Sequence, residues 1–481
     1  MKHLDNVDST PAQRWTFLLV ISLGLLMVGV DNSILYTALP ELRAQLHTTD
    51  TQALWIINAY ALVISGLMLG TGTLGDRIGH RLMFLIGLAV FGVASLAAAF
   101  APGAWFLVAA RGLLGLGAAT MMPATLALIR ITFSNEREHN TAIGVWASVA
   151  VVGAALGPVV GGILLEFFWW GSVFLINVPV VVVALIATIA VAPPNMPNPA
   201  KHWDAPSSLY ALLTLASLVT AIKEVANPAR TWWIVGVTVV LALVGAWLFT
   251  RRQQRLADPL LTFDVFRSRI FTGGVLAAAG AMFAVSGLEL LTTQRFQMVA
   301  GYSPLEAGLL VIAVTVAAFP FSILGGAVLH RVGFIPLITG GFVAVAGGVA
   351  VATWADVHHI LPLFVAALAV VGAGAGSIMS VSSTAIIGAA PVRRAGMAAG
   401  VESVSYEFGT LLSVAILGSL LPVLYAAGSF PGADMISNLD GAAYDSAYII
   451  ILSIIAVVAG LFALLTGWCF RGNPRSAGAT Q

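Results

Sequence analysis

Five ionisable residues stand well inside long apolar stretches of this sequence: Asp31, Arg111, Glu289, Glu402 and Glu407. A charge at membrane depth costs at least about 2.5–3.5 kcal/mol on insertion scales, so such residues face a cavity or a partner and are usually functional. Four are acids and one is a base. A carboxylate that holds either a proton or a cation, but not both, is the chemical requirement for exchanging the two. The excess of acid over base suits positively charged cargo. Asp31 is expected to pair with a helix end or with Arg111, Glu289 with Arg295, and Glu402 with Arg393 or Arg394. Glu402 and Glu407 are five residues apart, about 140° around a helix with 3.6 residues per turn, so they cannot share one face.

Aromatic rings can meet a flat cation through their π faces. Trp55, Tyr60, Trp146, Phe283 and Tyr406 are the candidates for a cavity wall. Other tryptophans at span ends, such as Trp105 and Trp232, fit the interfacial belt better. No metal site is expected. The histidines lie in loops or tails, and His358 next to His359 is weak grounds for one. The lone Cys469 supports neither a disulfide nor a redox pair. No phosphate-binding glycine loop is present, which disfavours ATP-driven chemistry.

The elements that position these residues follow from composition. The sequence is 59% hydrophobic and 9% charged over 481 residues, against about a quarter charged in soluble domains. Lipid must solvate much of that surface. The apolar runs last about 20 residues, which selects helices over a barrel. Spans are expected at 15–39, 52–72, 81–101, 104–127, 142–165, 173–193, 206–225, 231–250, 271–294, 304–328, 334–354, 360–388, 397–421 and 446–468. The first run is too long for a cleaved signal. Of the 22 Lys and Arg residues, only Arg43, Lys223, Arg230 and Arg295 fall on one side of this topology and Arg111 falls within it. The rest share the side of both termini, which predicts cytoplasmic ends. The connection 251–269 is basic, with Leu260, Leu261, Phe263, Val265 and Phe266 forming an apolar face suited to the membrane surface.

Three stretches carry glycine at telling places. After the second span comes Gly72-Thr73-Leu74-Gly75-Asp76-Arg77-Ile78-Gly79-His80-Arg81. Gly79 permits a tight turn, and Asp76 can pair with Arg77 or Arg81, a latch between two helix ends. A weaker echo, His330-Arg331-Val332-Gly333, follows the tenth span and implies internal duplication. In the fifth span, Gly153, Gly157, Gly161 and Gly162 allow close helix contact, and Pro158 bends the helix.

The Gly72–Arg81 run resembles the cytoplasmic loop motif of the major facilitator superfamily. The Gly153–Gly162 stretch resembles the antiporter motif of its drug:proton antiporters. Asp31 to Pro40, Arg111 to Gly117 and Trp170 to Pro179 resemble the first-, fourth- and sixth-helix motifs of the fourteen-span branch, although Leu114 replaces a common glutamine and an arginine usual before Phe174 is absent. Within that branch the sequence is similar to methyl viologen and acriflavine resistance exporters of the SmvA type, and to quaternary ammonium exporters of the QacA type.

The resemblance implies an all-α membrane protein with the major facilitator fold: two six-helix halves plus an inserted two-helix hairpin, fourteen transmembrane helices in all. The organisation expected is a cytoplasmic N-terminus (1–14), an N-terminal half (15–193), inserted helices (206–250), an amphipathic linker (251–270), a C-terminal half (271–468) and a cytoplasmic tail (469–481). It implies a proton-coupled multidrug antiporter, not an enzyme. The cargo would be lipophilic cations of quaternary ammonium, viologen, acridine and biguanide type. The protein would act as a monomer in a bacterial inner membrane, with lipid and protons as its other partners and the proton gradient in place of any cofactor. Export of an endogenous metabolite or siderophore, or a receptor role, are the alternatives.

Overall fold

The computed structural model describes residues 10–133, 135–200, 203–227, 230–256, 259–390, 395–430 and 439–471. Helices α1 (Pro11–Leu46), α2 (Asp50–Ile78), α3 (His80–Ala99), α4 (Ala104–Thr132) and α5 (Glu136–Phe167) are followed by a broken sixth span, α6 (Ser172–Leu175) and α7 (Asn177–Val191). Then come α8 (Ala205–Ala226), α9 (Trp232–Gln253), α10 (Arg269–Met298), α11 (Pro304–Val332), α12 (Phe334–Val357), α13 (Leu361–Ala389), α14 (Ala395–Gly428) and α15 (Gly441–Phe470). Among the described residues, thirteen segments are long and apolar enough to cross a membrane, α6 and α7 counting as one. The 32-residue α5 is the fourteenth helix of spanning length. With an even number of spans, the start of α1 and the end of α15 lie at one face, called here the terminal face; the opposite one is the far face.

Local chemistry sets the helix ends. Thr10 with Gln13, Thr49 with Gln52, and Ser303 with Glu306 form capping boxes at α1, α2 and α11. The α2–α3 and α11–α12 turns use Gly79 and Gly333 at φ +98° and +84°, a region that L side chains avoid. The sixth span breaks at Ile176. Pro179 has no N–H to give the Leu175 carbonyl, and the break leaves Asn177 buried at the start of α7.

Two large apolar clusters mark the halves. One joins α1–α7 and takes in Leu290 and Val414; the other joins α10–α15. The inserted α8 packs on α2 and α14, whereas α9 packs on α8 alone. Leu212 of α8 lies against Gly66, and Ser208 against Gly70. A small cluster of Ala61, Leu62, Val219, Leu411 and Ala415 fills the junction of α2, α8 and α14. The hairpin therefore lies along the seam between the halves.

The connection after α9 departs from the sequence reading. Instead of an amphipathic helix on the membrane surface, it forms a short 3-10 turn, Phe263–Arg267. Leu260 and Val265 are buried, and Val265 joins Phe271, Ile386, Ala398 and Val401 in a cluster at the base of α10, α13 and α14. Apolar side chains that could have met lipid find a protein groove.

Candidate transport site

The centre of the N-terminal half is a buried ion pair. Asp31 of α1 and Arg111 of α4 are both fully buried, and Arg111 Nη1 donates to Asp31 Oδ2. The other carboxylate oxygen, Oδ1, accepts from Asn177 Nδ2 at 3.1 Å, and the same amide lies 3.2 Å from Ser95 Oγ. Arg111 Nε donates to the Ile56 carbonyl at 3.1 Å, and its guanidinium carbon lies 4.3 Å from the Tyr60 ring centroid. Arg111 Nη2 is buried without a hydrogen-bond partner. Charge-assisted bonds of this kind are strong, but removing one member leaves a buried charge uncompensated.

Glu407 of α14 brings the second half to this pair. It lies within electrostatic reach of Arg111, Tyr60 and Tyr36. The residue keeps some exposure, but its Oε2 is enclosed and has no hydrogen-bond partner. Glu289 of α10 is also buried, and it too acts electrostatically on Tyr36. Its carboxylate makes no hydrogen bond or ion pair among the described residues. Tyr36 connects the helices through its backbone carbonyl, which accepts from Thr293 Oγ1 of α10 at 2.9 Å, and Ser286 of α10 in turn lies 3.1 Å from Thr410 of α14. The group thus holds three carboxylates and one guanidinium, with two carboxylates unpaired.

Glu402 stands apart. Its Oε1 is 3.2 Å from the Tyr406 hydroxyl, which is also 3.1 Å from the Met379 carbonyl. The single Tyr406 proton can serve only one of the two acceptors. Arg393 and Arg394, the partners expected for Glu402, lie outside the described residues.

Several expected contacts take another form. Arg295 binds Asp356 (3.0 Å) and Asp445 (2.9 Å) rather than Glu289. Six residues separate Glu289 from Arg295, which puts them on different helix faces. Asp76 pairs with His80 at 3.0 Å, one helical turn on, while Arg81 donates to the Ile189 carbonyl. Trp55 does not join the central group; it lies at the α8 junction, where Lys223 Nζ sits 4.4 Å from its ring centroid. Trp146 is engaged across α4 and α5, its indole N–H donating to Thr125 Oγ1 at 2.9 Å. Phe283 packs against the apolar cluster of the C-terminal half.

The glycines of α5 serve as contact points. A Cβ on Gly153, Gly157 or Gly161 would collide with Leu26, Ser33 or Ile34 of α1. Gly162 instead meets Leu305 of α11, and Gly308 of α11 meets the Pro158 carbonyl, both with a Cβ clearance of 2.4 Å. On the α5 side the contact is the backbone carbonyl of the buried Pro158. Gly72 is looser, with Pro123 at 3.6 Å. At the far face the halves also meet through Thr293 Oγ1 on the Tyr36 carbonyl (2.9 Å) and Gln297 Nε2 on the Thr37 carbonyl (3.0 Å).

A model of the Major Facilitator Superfamily matches residues 21–292. The chain belongs to the major facilitator superfamily. Membership makes it a multi-pass membrane transporter rather than an enzyme. This facilitator is 37% identical to the methyl viologen resistance protein SmvA of Salmonella typhimurium, over 86% of this chain and 84% of that one. It is 36% identical to the multidrug efflux pump LfrA of Mycolicibacterium smegmatis, over 91% and 86%. It is 32% identical to the tetracenomycin C resistance and export protein of Streptomyces glaucescens, over 86% and 78%. Its fold resembles that of a bacterial homolog of the human lysosomal transporter Spinster in an inward-facing, unoccupied conformation. That match has a TM-score of 0.68 at 16% identity and covers 98% of this chain and 100% of the other.

The sequence singles out the central charges but not two other members of the site, Asn177 and Tyr36, each of which is visible only as part of a motif. Asn177 carried the one available signal, an amide followed two residues later by a helix-disrupting proline.

Proposed function

We propose that this facilitator exports drug-like lipophilic cations in exchange for protons, by alternating access, from a bacterial cytoplasmic membrane in which the terminal face is cytoplasmic. The observation that carries the reading is the charge balance of the central group. Arg111 makes its ion pair with Asp31, while Glu407, within reach of Arg111, and Glu289 have no ion pair of their own among the described residues, so acid exceeds base in the group by two. A positively charged substrate supplies the missing charge on the way in, and protons supply it on the way back. Tyr36 and Tyr60 add rings to the wall. The names of SmvA and LfrA support drug export and a viologen-type cargo.

Alternation has a structural counterpart. The far-face contacts of α1 with α10, and of α5 with α11, close that side, and opening it requires breaking a few hydrogen bonds and separating glycine contacts. The energy is ionic. One pH unit supplies about 1.4 kcal/mol per proton, and 100 mV about 2.3 kcal/mol per charge moved. Substrate-induced proton release from proteoliposomes tests the reading, comparing ethidium with a neutral dye of similar size. Release with ethidium alone is expected; no release with any cation would overturn it.

A further inference from the structure

The glycine turn between α2 and α3 is held from outside its own helices. Gly79 offers α3 no side-chain cap, and α2 ends at Ile78 with carbonyls that lack helical partners. Asn195, from the segment after α7, supplies both needs. Its Nδ2 donates to the Ile78 carbonyl at 2.7 Å, and its Oδ1 accepts from the Leu82 N–H at 3.2 Å. One amide thus caps the end of one helix and the start of the next. The space above Gly79 is filled by the same side chain: a Cβ there would meet Asn195 at 2.0–2.4 Å. Asn198 N–H donates to the Asp76 carbonyl at 3.1 Å, and Arg81 reaches back to the Ile189 carbonyl at 3.0 Å. Residues 192–200 therefore form a strap across the turn. The strap leads toward Asp204, which binds Arg252 of α9 at 2.8 Å and fixes the base of the inserted hairpin.

Among the described residues, the corresponding turn of the other half shows no such arrangement. Gly333 has the same kind of backbone, its helix α12 has no side-chain cap, and a Cβ on it would meet nothing within 4 Å. Among the described residues, one glycine turn is bound from outside its own helices and the other is not.

We infer that Asn195 is a positioning residue for transport: by capping α2 and α3 together it fixes the angle between them and sets how fast the gating turn breaks and reforms. It touches no substrate, so it acts on turnover rather than on binding. The turnover readout rests on the transport function proposed above; the exchange readout does not. Asn195→Ala in the full-length protein is expected to lower maximal ethidium flux in proteoliposomes about fivefold, the scale set by one lost cap, with KM unchanged. Amide exchange of residues 79–83 should speed up about tenfold, while residues 333–337 keep the wild-type rate. Asn195→Asp retains the acceptor for Leu82 and loses the donor to Ile78, so it should recover part of both losses. A variant that merely damaged packing would raise exchange in both halves and would not be rescued by Asp. Wild-type flux and wild-type exchange at 79–83 in Asn195→Ala would overturn the inference, and if that variant does not fold, wild-type values in Asn195→Asp would do so. Absence of ethidium flux in the wild type would count against the proposed cargo and leave the exchange comparison to decide the role of Asn195.

Discussion

Lys223 sits with its ammonium 4.4 Å from the ring centroid of Trp55, buried in the junction of α2, α8 and α14 and without a hydrogen-bond partner. The inserted hairpin thus presents a cation to an aromatic of the N-terminal half. Burying it costs more than the ring returns: an unpaired buried charge costs several kcal/mol even after relaxation, and a desolvated cation–π contact returns about 2 kcal/mol.

Lys223→Met, which keeps the length and removes the charge, is accordingly expected to stabilise the protein by about 1 kcal/mol. A thermal-unfolding scan in detergent reads this as a rise in Tm. A fall in Tm would mean that the ammonium has a partner in the membrane that it lacks here.

The two central carboxylates should behave differently when neutralised. Asp31→Asn and Glu407→Gln are each expected to abolish ethidium efflux from cells. Only Asp31→Asn leaves Arg111 uncompensated, a loss of about 3–5 kcal/mol by analogy with broken buried pairs. Glu407 Oε2 has no partner to lose. Tm should therefore drop for Asp31→Asn and hold for Glu407→Gln. Wild-type efflux in either variant would remove that residue from the coupling site.

Glu402 is held by Tyr406 and has no ion pair with Arg111. Glu402→Gln is expected to raise KM for cations about threefold, the effect of weakening one hydrogen-bonded contact, with the ratio of protons released to substrate moved unchanged. A changed ratio would place Glu402 in proton coupling instead.

Gly308 tests far-face closure. Its missing side chain lets α11 approach the Pro158 carbonyl, and adding a methyl group there costs about 1–3 kcal/mol of overpacking. Gly308→Ala should shift the resting population toward the far-face-open form. Labelling of an introduced cysteine at the far end of α1 by a membrane-impermeant maleimide would show faster reaction; unchanged labelling would mean that the contact does not gate.

Much of this was readable from residue types, for a physical reason. Lipid requires every span to be apolar and helical, so the runs and their charges are conspicuous. Asp31 and Arg111 could each be singled out as costly and named as one possible pair, but the bond to Arg111 rather than to a helix end joins residues 80 apart in sequence and depends on how α1 crosses α4. Spacing alone carried some local pairs: Asp76 and His80, four apart, meet as i,i+4 neighbours do. Attention to the permanently charged arginines passed over that pair. Lys223 falls at the far end of its span as its sequence position suggests, but its burial against Trp55 depends on how α8 packs on α2 and is not written in its spacing.

The placement of α8 has a consequence for traffic through the lipid. Two lateral seams join the halves, one between α2 and α14 and one between α5 and α11. The first is lined on the outside by α8, with Leu212 and Ser208 packed onto Gly66 and Gly70. Among the described residues no helix packs over the second in this way, and toward the terminal face α11 leaves Phe319, Phe321, Ile323 and Leu324 exposed. A greasy solute dissolved in the leaflet on that side meets a walled flank and an open one, so the inserted pair makes a two-sided barrel one-sided.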